Sequence, residues 1–423
     1  MNKKVVFVIA LMAMVMVFSC AKKEDLPENE FRVRPLDGGK SLEITAYIGK
    51  KQTINIPARL HGLSVTSIGR AAFINRDIIK VTIPGSITAI GDRAFAENML
   101  TSVNVGSGVT TIGVAAFADN MLVKVNIGNK VTSIGDRAFM MNQLTNVTIS
   151  NNVTSIGIEA FLDNKLAKVT IGKSLTDIGD RAFMNNQLTD IIIPSNVTSI
   201  GAEAFVGNKL AKITIGKGLI FIGDRAFMEN QLTSVIIPDS VTTIGNEAFV
   251  ENQLIEVSIP KSVTAIGVEA FARNPLTNFS VDSDNTEYVT RNSYLLSKDE
   301  KNINLYYGND KIIIIPDSVE TIGAGAFLAK QLTDVTIPES VINIGNRAFY
   351  ENALTVVTIP NSVTTIGDSA FNENPIASIT IGTGVNITRS SFDNNNNYYY
   401  TYINYGRRAG TYVVNRYGYW TRQ

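Results

Sequence analysis

The sequence predicts a repeat solenoid that is rich in β-strand and turns its corners through short helical or 3₁₀ turns. Three observations predict it. The dipeptide Ile-Gly recurs every 22 residues, Ala-Phe follows each copy at a fixed distance, and each repeat holds two short extended stretches with apolar residues on one side. Such a period is typical of a solenoid, because one coil cannot bury its apolar side until neighbours stack on it. The thirteen dipeptide glycines predict about 13 coils, and they are Gly69, Gly91, Gly113, Gly135, Gly157, Gly179, Gly201, Gly223, Gly245, Gly267, Gly323, Gly345 and Gly367.

Residues 131–152 show how one coil is built. The stretch "LTNVTI" alternates apolar and polar residues as a short half-buried strand does, and "VTSI" is a second extended piece. Between them, "GDRAFMMN" predicts the single helical or 3₁₀ turn, for which Asp136 is a reasonable N-cap. The small Ala138 lets coils approach closely, so Phe139 and its equivalents are predicted to stack as a spine along the solenoid axis.

The repeat resembles the BspA-like class of the leucine-rich repeat superfamily. Its pattern, V-x-x-I-G-x-x-A-F-x-x-N-x-L-x-x-V-x-I-P, runs from about Thr53 to Ile381, and thirteen copies make the match specific. The resemblance implies a leucine-rich repeat solenoid, here assigned to residues 41–392. It also implies a bacterial or protozoan surface protein, because several members of this class resemble adhesins for host matrix and plasma proteins.

The N-terminus predicts export and a lipid anchor. Lys3 and Lys4 precede fourteen apolar residues, a length typical of a signal peptide and short for a membrane helix. Val17-Phe18-Ser19-Cys20 resembles a bacterial lipobox, so we expect a signal peptide at 1–19, a lipid on Cys20 and a flexible tether over 20–40. The alternative is a plain secretory signal with a chance cysteine. The predicted location is the bacterial cell envelope, lipid-anchored and exposed on the outer membrane.

Composition argues against catalysis. Lys plus Arg equals Asp plus Glu at 38 each, so no global field attracts nucleic acid. With one histidine, His61, and one cysteine, Cys20, the chain cannot assemble a His/Cys metal cage or a disulfide framework. We expect no catalytic residue, no cofactor and no metal, and interpret His61 as a solvated loop side chain.

Two columns of polar residues are interpreted as structural. An Asn follows the Phe by three positions in eleven of thirteen coils, Arg76 and Lys330 being the exceptions, and we expect its amide to bond backbone groups between coils. The second column alternates in sign, which predicts attraction between stacked coils; it comprises Arg137, Glu159, Arg181, Glu203, Arg225 and Glu247.

The outward residues of the strand supply the candidate ligand-binding face. Lysine recurs on alternate coils just before the strand valine or isoleucine, and Thr, Ser or Asn usually follows it. A flat polar strand face is the usual ligand surface of a solenoid. The candidates are Lys80, Lys124, Lys168, Lys212, Thr148, Thr170 and Thr214. The alternative is that these are merely soluble residues without a partner.

The pattern is interrupted at both ends and once inside. Residues 41–60 predict a hairpin cap, and residues 282–315 predict two or three short strands that project from the stack. The latter segment begins with Asp282, Asp284, Asn285 and Glu287, interpreted as an acidic turn, with a calcium site as the alternative.

The tail, residues 393–423, is rich in tyrosine and arginine and predicts a hairpin cap over the last coil. Aromatic and arginine side chains also stack on sugars, bases or protein side chains. The candidate aromatic surface is Tyr399, Tyr402, Tyr412, Tyr419 and Trp420.

The sequence therefore predicts a lipid-anchored cell-surface protein that binds protein ligands, in adhesion to host matrix or plasma proteins or to other cells. The alternative is a structural or self-associating envelope protein that contacts cell-wall or surface glycan. Glycan is a further candidate partner, nucleic acid is not expected, and we expect the membrane to be contacted through the lipid.

Overall fold

In the computed structural model, which describes residues 28–392 and 397–423, the chain forms a β-solenoid of about 16 turns with a 22-residue period and little helix. The predicted fold class is confirmed. In the described ranges, helix is confined to α1 (Asn397–Asn404) and two 3₁₀ helices, Glu28–Glu30 and Asp37–Gly39.

Along one side of the stack, the Ile-Gly segments of the first ten repeats and their cap form a 13-stranded sheet. Its strands are β1 (Phe31–Leu36), β2 (Ser41–Tyr47), β4 (Arg59–Leu60), β5 (Leu63–Ile68), β7 (Ala89–Ile90), β9 (Thr111–Ile112), β11 (Ser133–Ile134), β13 (Ser155–Ile156), β15 (Asp177–Ile178), β17 (Ser199–Ile200), β19 (Phe221–Ile222), β20 (Thr243–Ile244) and β22 (Ala265–Ile266). Pairing between repeats is parallel and in register, so that Ile134 lies between Ile112 and Ile156.

A second set of strands lies on another side of the same coils. These strands are β3 (Thr53–Asn55), β6 (Lys80–Thr82), β8 (Ser102–Asn104), β10 (Lys124–Asn126), β12 (Asn146–Thr148), β14 (Lys168–Thr170), β16 (Asp190–Ile193), β18 (Lys212–Ile215), β21 (Glu256–Ile259) and β23 (Asn278–Val281). They pair two by two and in parallel, as β14 does with β12. We call their outward side the strand face.

The remaining strands repeat this arrangement in a second array. A seven-stranded sheet contains β24 (Tyr288–Arg291), β25 (Tyr294–Ser297), β26 (Asn302–Tyr306), β28 (Thr321–Ile322), β30 (Asn343–Ile344), β32 (Thr365–Ile366) and β34 (Asn386–Ile387). The other side contains β27 (Ile312–Ile314), β29 (Asp334–Thr336), β31 (Val356–Thr358), β33 (Ser378–Ile381), β35 (Gly410–Val414) and β36 (Trp420–Arg422).

The core is a column of stacked rings lined by the inward residues of both strands. The centroids of Phe139 and Phe161 are 5.4 Å apart with nearly parallel planes, and Ala138 beside them is fully buried. The predicted phenylalanine spine is therefore present. The buried residues divide into two large clusters, one for each array.

The stack has about 16 turns, three more than the predicted 13 coils. The additional three coils lack the Ile-Gly…Ala-Phe pattern. Tyr47 stacks on Phe73 in the first array, Tyr306 packs against Phe327 in the second, and Phe392 stacks on Phe371 at the end. A tyrosine replaces the phenylalanine in the first two, and Ser391 replaces the alanine in the last. A search for the dipeptides alone misses these turns.

The corner that contains Asp136 differs from the expected helical or 3₁₀ turn. Arg137 and Met141 have φ of 56° and 53°, which is left-handed backbone. The N–H groups of Arg137 and Phe139 each donate a hydrogen bond of 2.8 Å to a carbonyl oxygen of the next coil. The Asp136 carboxylate likewise accepts from Ile158 N–H, at 2.8 Å, in the next coil. The corner keeps two 3₁₀-type bonds of its own, Ala138 N–H to Gly135 O at 3.2 Å and Met140 N–H to Arg137 O at 3.1 Å, but the left-handed residues direct the alternate N–H groups to the next coil.

The expected tether over residues 20–40 is wrong for its second half. Strand β1 pairs antiparallel with β2, and Phe31 is buried with its ring 5.6 Å from that of Tyr47. The first cap therefore starts before residue 41, because Phe31 and Val33 cover the open end of the core. Residues 1–27, with the predicted signal peptide, lie outside the described residues.

The expectation that residues 282–315 project from the stack is also wrong. Strand β26 pairs parallel with β28 of the following repeat. Leu295 and Leu305 are buried in the first core, whereas Leu296 and Ile303 are buried in the second. The segment alternates because it faces two cores, and it therefore lies within the stack.

The C-terminal cap contains the predicted hairpin, β35 with β36, and in addition α1. The hairpin continues the strand pairing, since β35 lies antiparallel to β33. Tyr398 of α1 is buried and meets Phe392 edge-on at 4.9 Å, which ends the ring column. The helix was not expected from a run of tyrosines.

Candidate ligand-binding face

The strand face presents two exposed columns on either side of a buried one. In β14, Lys168 and Thr170 point outward while Val169 is buried, and the other coils follow the same pattern. The predicted face residues are all exposed: Lys80, Lys124, Lys168, Lys212, Thr148, Thr170 and Thr214.

Strand register makes these columns straight. Lys168 pairs with Asn146 and Thr170 with Thr148, because β12 and β14 are in register. Since strands lie about 4.8 Å apart, lysines on alternate coils recur at about 10 Å. In the part of the chain that the structure describes, Lys80, Lys124, Lys168 and Lys212 make no ion pair. Their charges are therefore available to a ligand.

The same face changes character toward its C-terminal half. Ile236 stands in the threonine column and is 84% exposed. It lines a shallow groove of about 550 Å³ together with Glu256, Ser258 and Asp282. The strand face is thus basic at one end and acidic at the other, although the whole chain has no net charge.

The charge ladder is present at a different corner and is satisfied within the protein. Glu159 receives Arg137 at 2.5 Å and Arg181 at 3.0 Å, and Glu203 lies 3.7 Å and 3.5 Å from Arg181 and Arg225. The Glu247 carboxylate raises the pKa of Arg225 through a hydrogen bond and its charge. These groups hold coils together, as expected, and are not free to bind.

The asparagine column is structural, as expected. The Asn142 amide donates to the carbonyls of Phe117, Phe139 and Met140 at 2.9–3.2 Å, and its oxygen accepts the N–H of Leu122 at 3.0 Å. The side chain is buried and fully used, so this column offers nothing to a ligand.

The predicted aromatic surface is wrong for three of its five residues. Tyr402 and Tyr412 are fully buried and Trp420 is 8% exposed, because all three complete the second core under the cap. The Tyr402 hydroxyl donates to Gly382 O at 2.9 Å. Tyr419 is exposed and Tyr399 half-buried, so of the five predicted residues these two reach solvent. Composition could not predict which of these residues are buried, because tyrosine and tryptophan suit a buried cap as well as an exposed binding surface.

The other singled-out residues do not converge on the strand face. The buried Asn285 amide donates to Pro260 O and Val263 O, and its oxygen accepts two backbone N–H groups at 2.9 Å, which leaves it no lone pair for a cation. His61 has a neighbour that was not expected, the Glu28 carboxylate at 3.1 Å, in an exposed setting. Cys20 lies outside the described residues.

Within residues 28–392 and 397–423, no three His, Cys, Asp or Glu side chains are grouped as a metal site would require. Over the same residues, no helix has the length and apolarity to cross a membrane.

Among the exposed lysines beside the strand face that sequence reasoning missed, four belong to two nearly identical coils. Lys165 and Lys173 flank β14, and Lys209 and Lys217 flank β18, all exposed. The signal was present in the near-identical stretches "NKLAKVTIGK" and "NKLAKITIGK", which begin 44 residues apart at Asn164 and Asn208.

The architecture defines a leucine-rich repeat solenoid with an open polar strand face. A family model described as "BspA type Leucine rich repeat region (6 copies)" matches residues 66–189, 176–297 and 303–411. The chain belongs to this family.

Several solved structures resemble the chain. A leucine-rich repeat protein from Bacteroides ovatus is 21% identical over 86% of this chain and 90% of that one, with a TM-score of 0.54. A leucine-rich repeat protein from Eubacterium ventriosum is 27% identical over 56% of this chain, with a TM-score of 0.48, and the match spans 61% of that protein, less than two thirds. A leucine rich cell surface protein from Faecalibacterium prausnitzii is 22% identical over 87% and 85%, with a TM-score of 0.44. The Bacteroides match shows the fold alone, and no curated protein matches the sequence.

Proposed function

We propose that this protein is a lipid-anchored, surface-exposed binding protein of a bacterial envelope that captures a protein ligand on its strand face. One observation carries the proposal: a column of exposed, unpaired lysines and hydroxyl residues runs along the first array in register. The inward residues are consumed by the core, the asparagines by backbone groups and the arginines by glutamates. A flat, extended surface of this kind suits a protein partner.

Catalysis has no support from the described residues. A reaction site needs a nucleophile or base held beside a group that orients it. The carboxylates of the ladder are paired with arginines, and His61 stands beside a single exposed carboxylate. We infer binding without chemistry, with no cofactor or metal.

The anchor is supported by the N-terminal sequence. We expect Cys20→Ala to leave unprocessed precursor and to abolish labelling by radioactive fatty acid. Immunolabelling of intact cells, with and without protease, then tests exposure at the surface. Lipid labelling that persists in the variant would exclude Cys20 as the attachment residue.

The binding face is tested by replacing Lys124, Lys168 and Lys212 with serine, a residue type already present in that column at Ser102. Because these side chains are exposed and unpaired, the melting temperature should change by less than about 3 °C. Capture of an acidic matrix or plasma glycoprotein should weaken, most at low salt. Unchanged capture of every ligand would exclude the column.

The two oppositely charged ends of the strand face favour self-association as a second candidate. In that case light scattering at low salt would show oligomers of wild type that the triple serine variant lacks. Pull-downs would then return only the protein itself.

A further inference from the structure

Two coils of the first array carry three lysines each on or beside the strand face. Lys165, Lys168 and Lys173 belong to the coil of β14, and Lys209, Lys212 and Lys217 belong to the coil of β18. An earlier coil contributes Lys124 and Lys130, again with one coil between. We call these eight residues the lysine grid. The lysines form three rows across the stack, and every one of them is exposed.

The grid is not neutralised by the protein's own described groups. None of its lysines makes an ion pair with a described carboxylate, and the Lys165 ammonium only donates to the Gln143 amide oxygen at 3.4 Å. Asp190 lies in the same column between the rows of Lys168 and Lys212 and pairs in register with Lys212, without a salt bridge to it. Asp163, near Lys165, instead accepts a hydrogen bond from Asn185 at 2.8 Å. The grid therefore keeps a concentrated positive charge.

The spacing of the rows restricts the partner. Successive phenylalanine centroids in these coils are 5.4–5.5 Å apart, and strands lie about 4.8 Å apart, so rows on alternate coils recur at about 10 Å. The phosphates of a nucleic acid strand recur at about 3.4 Å, roughly three times more often than the rows. In a linear polysaccharide with an acidic group on alternate sugars, the charge recurs once per disaccharide, a length close to the row spacing.

We propose that the lysine grid binds a linear acidic polysaccharide with one acidic group per disaccharide, lying along the stack so that successive acidic sugars meet successive lysine rows. The threonines between the lysines, Thr170 and Thr214, donate and accept hydrogen bonds as sugar hydroxyls require. The straight columns hold an extended chain without bending it. This activity goes beyond the protein ligand proposed above and shares Lys124, Lys168, Lys212, Thr170 and Thr214 with it, whereas Lys130, Lys165, Lys173, Lys209 and Lys217 belong to the polysaccharide site alone.

The test titrates the mature full-length protein with hyaluronate oligosaccharides, from tetrasaccharide to decasaccharide, at low salt. Affinity should rise with each disaccharide up to the hexasaccharide, which spans three rows, and then level off. Changing Lys165, Lys173, Lys209 and Lys217 to glutamine should weaken hexasaccharide binding at least about ten-fold, since four charge contacts are lost.

A matched control removes the same charge elsewhere. Lys40, Lys50, Lys51 and Lys311 are exposed and lie in the first cap or in the second array, away from the lysine grid, and their change to glutamine should alter the affinity less than about two-fold. Equal weakening in both variants would overturn the proposal, because it would reflect net charge. Equally tight binding of poly-glutamate or of an oligodeoxynucleotide with the same number of charges would also overturn it.

Failure here is distinguishable from failure of the proposed function, because these four lysines lie outside the column changed in the triple serine variant. If the triple serine variant loses protein capture and wild type does not bind the hexasaccharide, the proposal of a protein ligand stands and the proposal of a polysaccharide ligand falls. If the triple serine variant captures protein as wild type does, and wild type binds the hexasaccharide through the four lysines, the proposal of a polysaccharide ligand stands alone.

Discussion

A buried asparagine in most coils completes the hydrogen bonds of the coil before it. Asn142 accepts the N–H of Leu122 and donates to Phe117 O, and both partners are buried residues of the preceding coil. An amide can do both at once, which explains why asparagine recurs at this position in eleven of thirteen coils.

We expect Asn142→Ala to lower the free energy of unfolding by at least about 2 kcal/mol, because it strands a buried donor and a buried acceptor. Urea denaturation measures the loss, and faster hydrogen exchange at Leu122 would locate it. The control is Asn146→Ala in the same coil, whose exposed amide bonds only the Thr145 hydroxyl, and a loss as large there would refute this account.

Lys330 takes the place of the asparagine in the first repeat of the second array. Burial lowers the pKa of Lys330 to about 8, from an ordinary value near 10.5. Below pH 8 the lysine is charged in both the folded and the unfolded state, so folding bears the full free-energy cost of burying the charge. Between about pH 8 and 10.5 the unfolded state binds more protons, so stability rises with pH.

Lys330→Met should therefore be more stable than wild type at pH 7, by about 1–3 kcal/mol, and the difference should shrink toward pH 10. Parallel urea denaturation at both pH values measures it. A difference that is constant with pH would mean that the lysine charge is not the cause.

At the scale of elements, the segment within residues 282–315 is a second N-terminal cap. Tyr306 occupies the place that Tyr47 has in the first cap: their ring centroids lie 5.5 Å from Phe327 and 5.6 Å from Phe73, respectively. Each hydroxyl also accepts a backbone N–H four residues later, from Asp310 and Lys51. The two exceptions in the asparagine column are Arg76 and Lys330. Each belongs to the first repeat after a cap, so no ordinary coil precedes it.

A fragment of residues 282–423 should consequently fold by itself, because it contains a cap at both ends of the second core. A fragment of residues 312–423 lacks the strands β24 to β26 and exposes Phe327, so it should not. Circular dichroism and cooperative thermal unfolding distinguish the two. Equal folding of both fragments would show that this cap is dispensable.

At the scale of the whole molecule, the two arrays are joined through a partly buried ion pair. Arg347 donates to Glu269 at 2.9 Å, and the Glu269 side chain is 5% exposed. Burial raises the pKa of Glu269, and the charge of Arg347 opposes that rise. Gly325 packs against Glu269 with φ of 64°, in the left-handed region, and a Cβ there would lie 2.2 Å from Glu269 Cγ. Val250, Ala272 and Leu328 form an apolar contact beside the pair.

We expect Arg347→Met to cost about 3 kcal/mol, because it leaves a buried carboxylate unpaired, and adding Glu269→Gln should restore most of the loss. Urea denaturation of both variants measures this, and the single variant should separate the unfolding of the arrays into two transitions. Additive losses in the double variant would mean that the two side chains are not coupled.

The sequence by itself determined the repeat, the ring column, the charge ladder and the outward lysines. Each of these follows from a fixed 22-residue spacing, which brings equivalent residues together as soon as the coils stack in register. The strand-face residues were predictable for the same reason, since alternation along a strand fixes which side chains face water.

Tertiary structure alone decided what happens where the period fails. Tyr402, Tyr412 and Trp420 are buried because the last coil must be covered, and a tyrosine-rich composition suits a buried cap as well as an exposed surface. Leu295 and Leu296 face different cores because the chain between Gly267 and Gly323 contacts an array on each side. No local pattern distinguishes a segment that projects from one that closes two cores, because that depends on what packs against it.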